Sequence, residues 1–113
     1  MLKCFFFDRD GVLIKNYGYV HKIESLKWLK GSINAIMFLN NNNIKVIVIT
    51  NQSGVARGYF SEKELLIFHK KMNQMLSKFK AKIDYFYYCP YHPLGKVKKY
   101  RKKTNLRKPG NGM

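Results

Sequence analysis

Acidic residues are scarce in this chain, with 6 Asp and Glu against 22 Lys and Arg, for a formal net charge of +16 in 113 residues. The imbalance is sharpest after Asp84, the last acid. Lys96, Lys98, Lys99, Arg101, Lys102, Lys103, Arg107 and Lys108 follow it without a counter-charge. Such a stretch attracts nucleic acid, an acidic surface or a phosphorylated small molecule, or else it is simply a solvated basic face. Cysteine is nearly absent: Cys4 and Cys89 form no disulfide framework and are expected as free, buried thiols of a reducing compartment. No run of about 18 apolar residues is present, so no membrane-spanning helix is expected. The N-terminus enters its first strand at once, without the basic, apolar and small-residue series of a secretory signal, and this predicts a cytoplasmic protein. There is no internal repeat.

What the chain does have is apolar: 46% of its residues are hydrophobic and 15% aromatic, the composition of a globular domain. Its length suits a single domain, 1–113, burying about two thirds of its unfolded surface. Lys3-Cys4-Phe5-Phe6-Phe7 reads as a buried strand, and Asp8-Arg9-Asp10-Gly11 follows it. Acids one residue apart leave an extended chain on the same side, and in a strand-end loop they can converge on one reacting centre and one cation. Residues 16–30 are turn-prone and aromatic, and suggest a flap over the strand ends. Gly31-Ser32 opens a helix with Ile33, Ile36, Met37 and Leu39 on its apolar face. Ile44 to Ile49 is a β-branched strand of the fully buried parallel type. Ser61 and Glu64 form a capping box for a helix whose face is Leu65, Phe68, Met72, Met75 or Leu76, and Phe79. Asp84 to Tyr88 is a third strand, broken by Pro90 and Pro93.

Strands alternating with helices predict an open, doubly wound α/β fold, a parallel sheet with helices on both faces and polar residues gathered at the strands' carboxyl ends. Asp8 and Asp10, Thr50 and Asn51, and Arg57, Arg107 and Lys108 would meet there. That set suits phosphoryl transfer. A carboxylate attacks phosphorus to form an acyl phosphate, and a second acid protonates the leaving alkoxide and then deprotonates water. A hard cation such as Mg²⁺ offsets the repulsion between these acids and a dianionic substrate.

Phe7-Asp8-Arg9-Asp10-Gly11-Val12, Val48-Ile49-Thr50-Asn51 and Arg107-Lys108-Pro109 resemble the three successive motifs of the haloacid-dehalogenase-like phosphatases. More narrowly, Gly18 to His21, Thr50 to Gly58 and Cys89 to Pro93 resemble the heptose-bisphosphate phosphatases within that group. The resemblance implies Asp8 as nucleophile, Asp10 as acid/base, and Thr50 and Lys108 as holders of the transferring phosphoryl group. It implies Arg107 in recognition of the sugar phosphate, with Asn16, Tyr17, Gly18, Tyr19, Asn51, Gln52 and Ser53 lining the substrate pocket. Mg²⁺ would sit on the Asp8 carboxylate and the Asp10 main-chain carbonyl.

Two departures from the pattern are visible. Relatives often hold a structural zinc on Cys-x-His and Cys-x-Cys, but here Tyr91, Thr104 and Leu106 take three of the four places, so no zinc is expected. The pattern also supplies a further acidic motif from a strand beyond Arg-Lys-Pro, for which this sequence has no acid. The expectation is a domain incomplete at its C-terminus, with the first strand as an exposed edge open to self-association. Two alternatives stand beside this reading. Histidinol-phosphate phosphatases share the acidic loop and the Arg-Lys-Pro end but fit Ala56-Arg57-Gly58 less well. A non-catalytic basic module binding anions or nucleic acid would account for the acid-free stretch, but no nucleic-acid motif accompanies the charge, and neither nucleic acid nor membrane is the expected partner.

Overall fold

The computed structural model of the protein describes residues 3–110 and 112. Three strands, β1 (Lys3–Phe7), β2 (Ile44–Asn51) and β3 (Tyr85–Cys89), form a parallel sheet in the order β1-β2-β3. Helix α1 (Ser32–Asn41) connects β1 to β2, and α2 (Glu62–Ser77) connects β2 to β3. This is the parallel α/β architecture that the alternating pattern predicts, but both α-helices lie on one face of the described sheet where helices on both faces are expected, because the strand order runs in one direction without reversing. No described helix is long and apolar enough to cross a membrane.

The strand order runs in one direction, so two crossovers of the same hand place both helices on one face. Side chains paired across parallel strands share a face. Phe5 pairs with Val46, Phe7 with Val48, and Val48 with Phe86. Val46 and Val48 are fully buried, and they pack with Ile36 and Leu39 of α1 and with Phe68, Met72 and Leu76 of α2. Each such side chain contributes about 1.5–3 kcal/mol relative to exposure. Helix α2 starts where the capping box predicts: the Glu64 N–H donates to Ser61 Oγ at 3.1 Å, and the Ser61 N–H to Glu64 Oε1 at 3.0 Å.

The opposite face carries Cys4, Phe6, Ile47, Ile49, Tyr85 and Tyr87, and neither α-helix covers it. Phe6 is 57% exposed and Tyr85 56%. The first strand is therefore an exposed edge and not a buried strand, and Cys4 is exposed where burial was expected. Cys89 is buried, and both thiols are free. Phe79 also departs from expectation. Helix α2 stops at Ser77, Lys80 takes φ 56°, and Phe79 points to solvent. The segment 16–30 is more than a flap. Ile14 bridges to both Asp10 and Trp28, a short 3₁₀ turn spans Ile23–Ser25, and Val20 and Leu26 enter the core.

Candidate active site

The carboxyl ends of the three strands lie along one edge, and the candidate residues are delivered there by the loops that leave them. Asp8 follows β1 directly. Gly11, with φ 83°, lets the chain turn so that the Leu13 and Ile14 N–H groups both donate to the Arg9 carbonyl, at 3.0 and 3.2 Å. A Cβ would strain that backbone conformation.

Asp8 is 46% exposed. Its Oδ1 accepts the Arg9 main-chain N–H at 2.8 Å, and Lys108 Nζ lies 3.1 Å from its Oδ2. Lys108 comes from the far end of the chain and is held in three ways. Its Nζ donates to the Ile49 carbonyl at 3.0 Å, its N–H donates to Asn51 Oδ1 at 2.8 Å, and its carbonyl accepts from Asn51 Nδ2 at 3.2 Å. The Asn51 amide thus works as a main-chain clamp that ties the Arg-Lys-Pro loop to the end of β2.

Asp10 faces a different set of donors. Arg9 reaches its Oδ1 through Nε at 3.1 Å and Nη2 at 2.9 Å, and Gln52 Nε2 donates to Oδ2 at 2.9 Å. The same Gln52 nitrogen lies 2.9 Å from Thr50 Oγ1. Gln52, expected among the pocket-lining residues, therefore links Asp10 and Thr50, and both Gln52 and Thr50 are buried. Asp8, Asp10, Thr50, Asn51, Gln52 and Lys108 form one connected group.

Arg9 and His69 were not among the expected site residues. Arg9 has no exposed side-chain surface. Its guanidinium lies 4.8 Å from the Phe68 ring centroid, Nη2 donates to the Val20 carbonyl at 2.8 Å, and Nη1 is 3.2 Å from His69 Nε2. Burial lowers its pKa, against the opposing pull of Asp10 and Asp8. His69 stacks on Phe86 at 4.2 Å, and its pKa falls to about 3, first through burial and then through the Arg9 charge. The imidazole is neutral at ordinary pH. Because Arg9 can only donate, Nε2 accepts and the proton sits on Nδ1, a buried atom without a partner. The signals were present in the sequence. Alternation in an extended chain turns Arg9 to the side opposite its flanking acids, and His69 lies four residues after the core residue Leu65.

Next to this group is a cleft of about 540 Å³ lined by His92, Lys103, Asn105, Arg107 and Lys108, among others. Arg57 Nη2 is 3.3 Å from His92 Nε2, and the Leu94 N–H faces His92 Nδ1 at 3.0 Å. Burial, then Arg107 and Arg57, lower the His92 pKa. Arg57 Nε and Arg107 Nη1 are buried without partners.

Asn16 Oδ1 accepts the Gly18 N–H at 2.9 Å, and Tyr19 meets Tyr59 edge-on at 4.8 Å. This hairpin-like turn leaves Tyr17 and Tyr19 about half exposed. The Ser53 carbonyl accepts the Arg57 N–H at 2.9 Å and shapes the loop after β2.

The exposed Asp8 carboxylate suits a hard cation, which takes one or two carboxylates together with water and phosphate oxygens. Among the described residues no group of three or more His, Cys, Asp and Glu converges. Around Cys89 the residues do not fit zinc. Its Sγ lies 3.9 Å from the Tyr91 carbonyl oxygen, Thr104 Oγ1 accepts the Leu106 N–H at 3.2 Å, and the Tyr91 ring lies under Lys102 Nζ at 4.0 Å.

A family model described as polynucleotide kinase 3 phosphatase matches residues 3–113. The D-glycero-beta-D-manno-heptose-1,7-bisphosphate 7-phosphatase of Haemophilus influenzae is 42% identical over 113 residues, which is all of this chain and 61% of the relative. Its Escherichia coli K12 counterpart is 39% identical over 108 residues, covering 96% of this chain and 56% of the relative. Among solved structures, the D,D-heptose 1.7-bisphosphate phosphatase of B. bronchiseptica, complexed with magnesium and phosphate, matches with a TM-score of 0.84 and 32% identity. The match covers 96% of this chain and 57% of that one.

Proposed function

Since this chain belongs to the polynucleotide kinase 3 phosphatase family of haloacid-dehalogenase-like phosphatases, we propose that it carries a phosphomonoesterase site whose nucleophile is Asp8. The substrate group is the 7-phosphate of D-glycero-D-manno-heptose 1,7-bisphosphate, in the cytoplasmic synthesis of a lipopolysaccharide precursor. The observation that carries the reading is the Lys108 ammonium 3.1 Å from Asp8, with Asn51 clamping the Lys108 main chain. A cation held there meets both the attacking carboxylate and the phosphoryl oxygens, and its position is fixed before substrate arrives.

In the first step an Asp8 oxygen bonds to phosphorus while the bond from phosphorus to the sugar oxygen breaks, and Asp10 gives its proton to the leaving alkoxide. The product on the protein is an acyl phosphate. In the second step Asp10 takes a proton from water, the water oxygen attacks phosphorus, and the Asp8 carboxylate is regenerated. Arg9 and Gln52 hold Asp10 in one orientation through both steps. Mg²⁺, held by the Asp8 carboxylate and the Asp10 main-chain carbonyl, would neutralise charge between protein and phosphate. The cleft lined by Lys103, Arg107 and Lys108 brings three cations together and suits the second phosphate of a sugar bisphosphate.

The chain spans 61% of the Haemophilus influenzae relative, so activity is tested on the chain as it stands. Phosphate release from the heptose bisphosphate is measured with Mg²⁺, using Asp8→Asn as control. The reading expects release by the parent and none by the variant. Equal release by both, or none by either, would overturn it.

A further inference from the structure

We infer that Glu62, through the hydroxyls of Tyr88 and Tyr100, positions His92 and Lys103 in the cationic cleft and so sets its grip on the second phosphate of the substrate, which rests on the reading of that cleft as the seat of this phosphate. Glu62 stands in the first turn of α2 and is half-buried. Its Oε1 accepts from Tyr100 Oη at 2.9 Å, and its Oε2 accepts from Tyr88 Oη. Among the described residues Glu62 forms no ion pair, although the chain has 22 Lys and Arg. The carboxylate is committed instead to two phenols, whose rings pack on Val55, Phe60 and Leu65, a cluster separate from the main core. The bond to Glu62 raises the Tyr100 pKa, and burial followed by the same carboxylate raises that of Tyr88, so both stay protonated donors.

Contacts run from this clasp to the cleft. The Tyr100 carbonyl accepts the His92 N–H at 3.1 Å, and His92, which lines the cleft, holds Nε2 3.3 Å from Arg57 Nη2. The Tyr100 N–H donates to the Val97 carbonyl at 3.0 Å, and the Val97 N–H to the Ala56 carbonyl at 2.8 Å. Gly95 packs so closely there that a Cβ would lie 2.7 Å from the Ala56 Cβ. Lys103, just past Tyr100 in the chain, lines the same cleft. Lys108 also lines it but is fixed independently, by Asn51 at the end of β2. Two separate tethers thus place the residues of the cleft. Loosening the clasp releases His92 and Lys103 while Asp8 and Lys108 keep their places, so a phosphate held by Lys103 feels the change and one held at Lys108 does not.

The test compares calorimetric affinities for heptose 1,7-bisphosphate and heptose 7-phosphate. Asp8→Asn serves as the background, so that ligand is bound and not consumed, and Tyr100→Phe, Glu62→Ala or Glu62→Gln is added to it. Tyr100→Phe and Glu62→Ala are expected to weaken the bisphosphate about tenfold, the scale of one hydrogen bond to a charged group, and to change the 7-phosphate less than about twofold. Glu62→Gln, which still accepts from a phenol, is expected to recover most of that loss. Equal weakening of both ligands, as a merely loosened fold would give, or no weakening of either, would overturn the inference. Phosphate release by the chain that retains Asp8 is measured separately. Release with affinities indifferent to the clasp removes the positioning role alone, whereas clasp-dependent affinity without release removes the catalytic reading alone. No binding of either ligand to the background protein overturns both.

Discussion

Arg9 lays its fully buried guanidinium against the Asp10 carboxylate, with Nη2 2.9 Å from Oδ1 and 3.2 Å from Oδ2. The pair joins the strand-end edge to the core, since the same guanidinium touches Phe68 and His69 of α2. Removing one member of a buried pair leaves the other charge without its partner, at a cost of about 3–5 kcal/mol. Arg9→Met is expected to lower unfolding free energy by about 3 kcal/mol in urea titration and to reduce phosphate release with it. A loss below about 1 kcal/mol would mean that Arg9 does not anchor the loop.

Lys108 and Asn51 separate chemistry from stability. Lys108 is about one third exposed and touches little of the core. Lys108→Met should lower kcat about 10²–10³-fold while shifting stability by less than about 0.5 kcal/mol. Asn51→Ala, which keeps the lysine but releases its main chain, should cost about 10²-fold through misplacement. Full activity in Asn51→Ala would show that the clamp has no role in positioning Lys108.

His69 makes stability depend on pH in a definite direction. Its folded pKa of about 3 lies below the unfolded value of about 6.5, so between those values the unfolded chain binds more protons. Stability from this group is complete above about pH 6.5 and falls on acidification towards pH 3, by at most about 1.4 kcal/mol per pH unit. His69→Gln keeps an acceptor for Arg9 and removes the titration. Urea midpoints between pH 4.5 and 7.5 should therefore slope less steeply in the variant, and parallel slopes would contradict the assignment.

Chelation distinguishes a metal used in the reaction from one used in folding. Side chains hold the segment after β3: Tyr100 Oη donates to Glu62 at 2.9 Å, beside the Tyr88 hydroxyl of β3 that donates to the same carboxylate, and Arg101 Nε donates to the Gly95 carbonyl at 2.7 Å. EDTA is expected to abolish phosphate release and leave the thermal midpoint unchanged. A lower midpoint after chelation would show that a metal, and not this clasp, holds the segment.

The parts of the site that could be read from the sequence are those where polar residues interrupt an apolar strand at its end. Asp8, Thr50 and Asn51 stand out for that reason, and the structure carries Lys108 to them. Residues whose role depends on which neighbour folds against them could not be read so directly. Arg9 lies between two acids and looks solvated until the loop turns it inward against α2. His69 has the helical spacing of core residues, yet its polarity hides its place there. Gln52 and Asn51 suggest a substrate pocket by type, while the structure commits their amides to Asp10, Thr50 and Lys108. Alternation along β1 shows that Cys4 and Phe6 share a face, but only the arrangement of the helices decides which face is covered.

The proposal that Asp8 carries the transferred group is tested most directly by stopping the reaction during turnover. The 113-residue chain is mixed with heptose 1,7-bisphosphate and Mg²⁺, quenched in acid within a single turnover, digested and weighed. The account predicts one phosphoryl group on the peptide that contains Asp8, and none in Asp8→Asn. Phosphate release without that modification, a phosphoryl group on another residue, or neither release nor modification would contradict it.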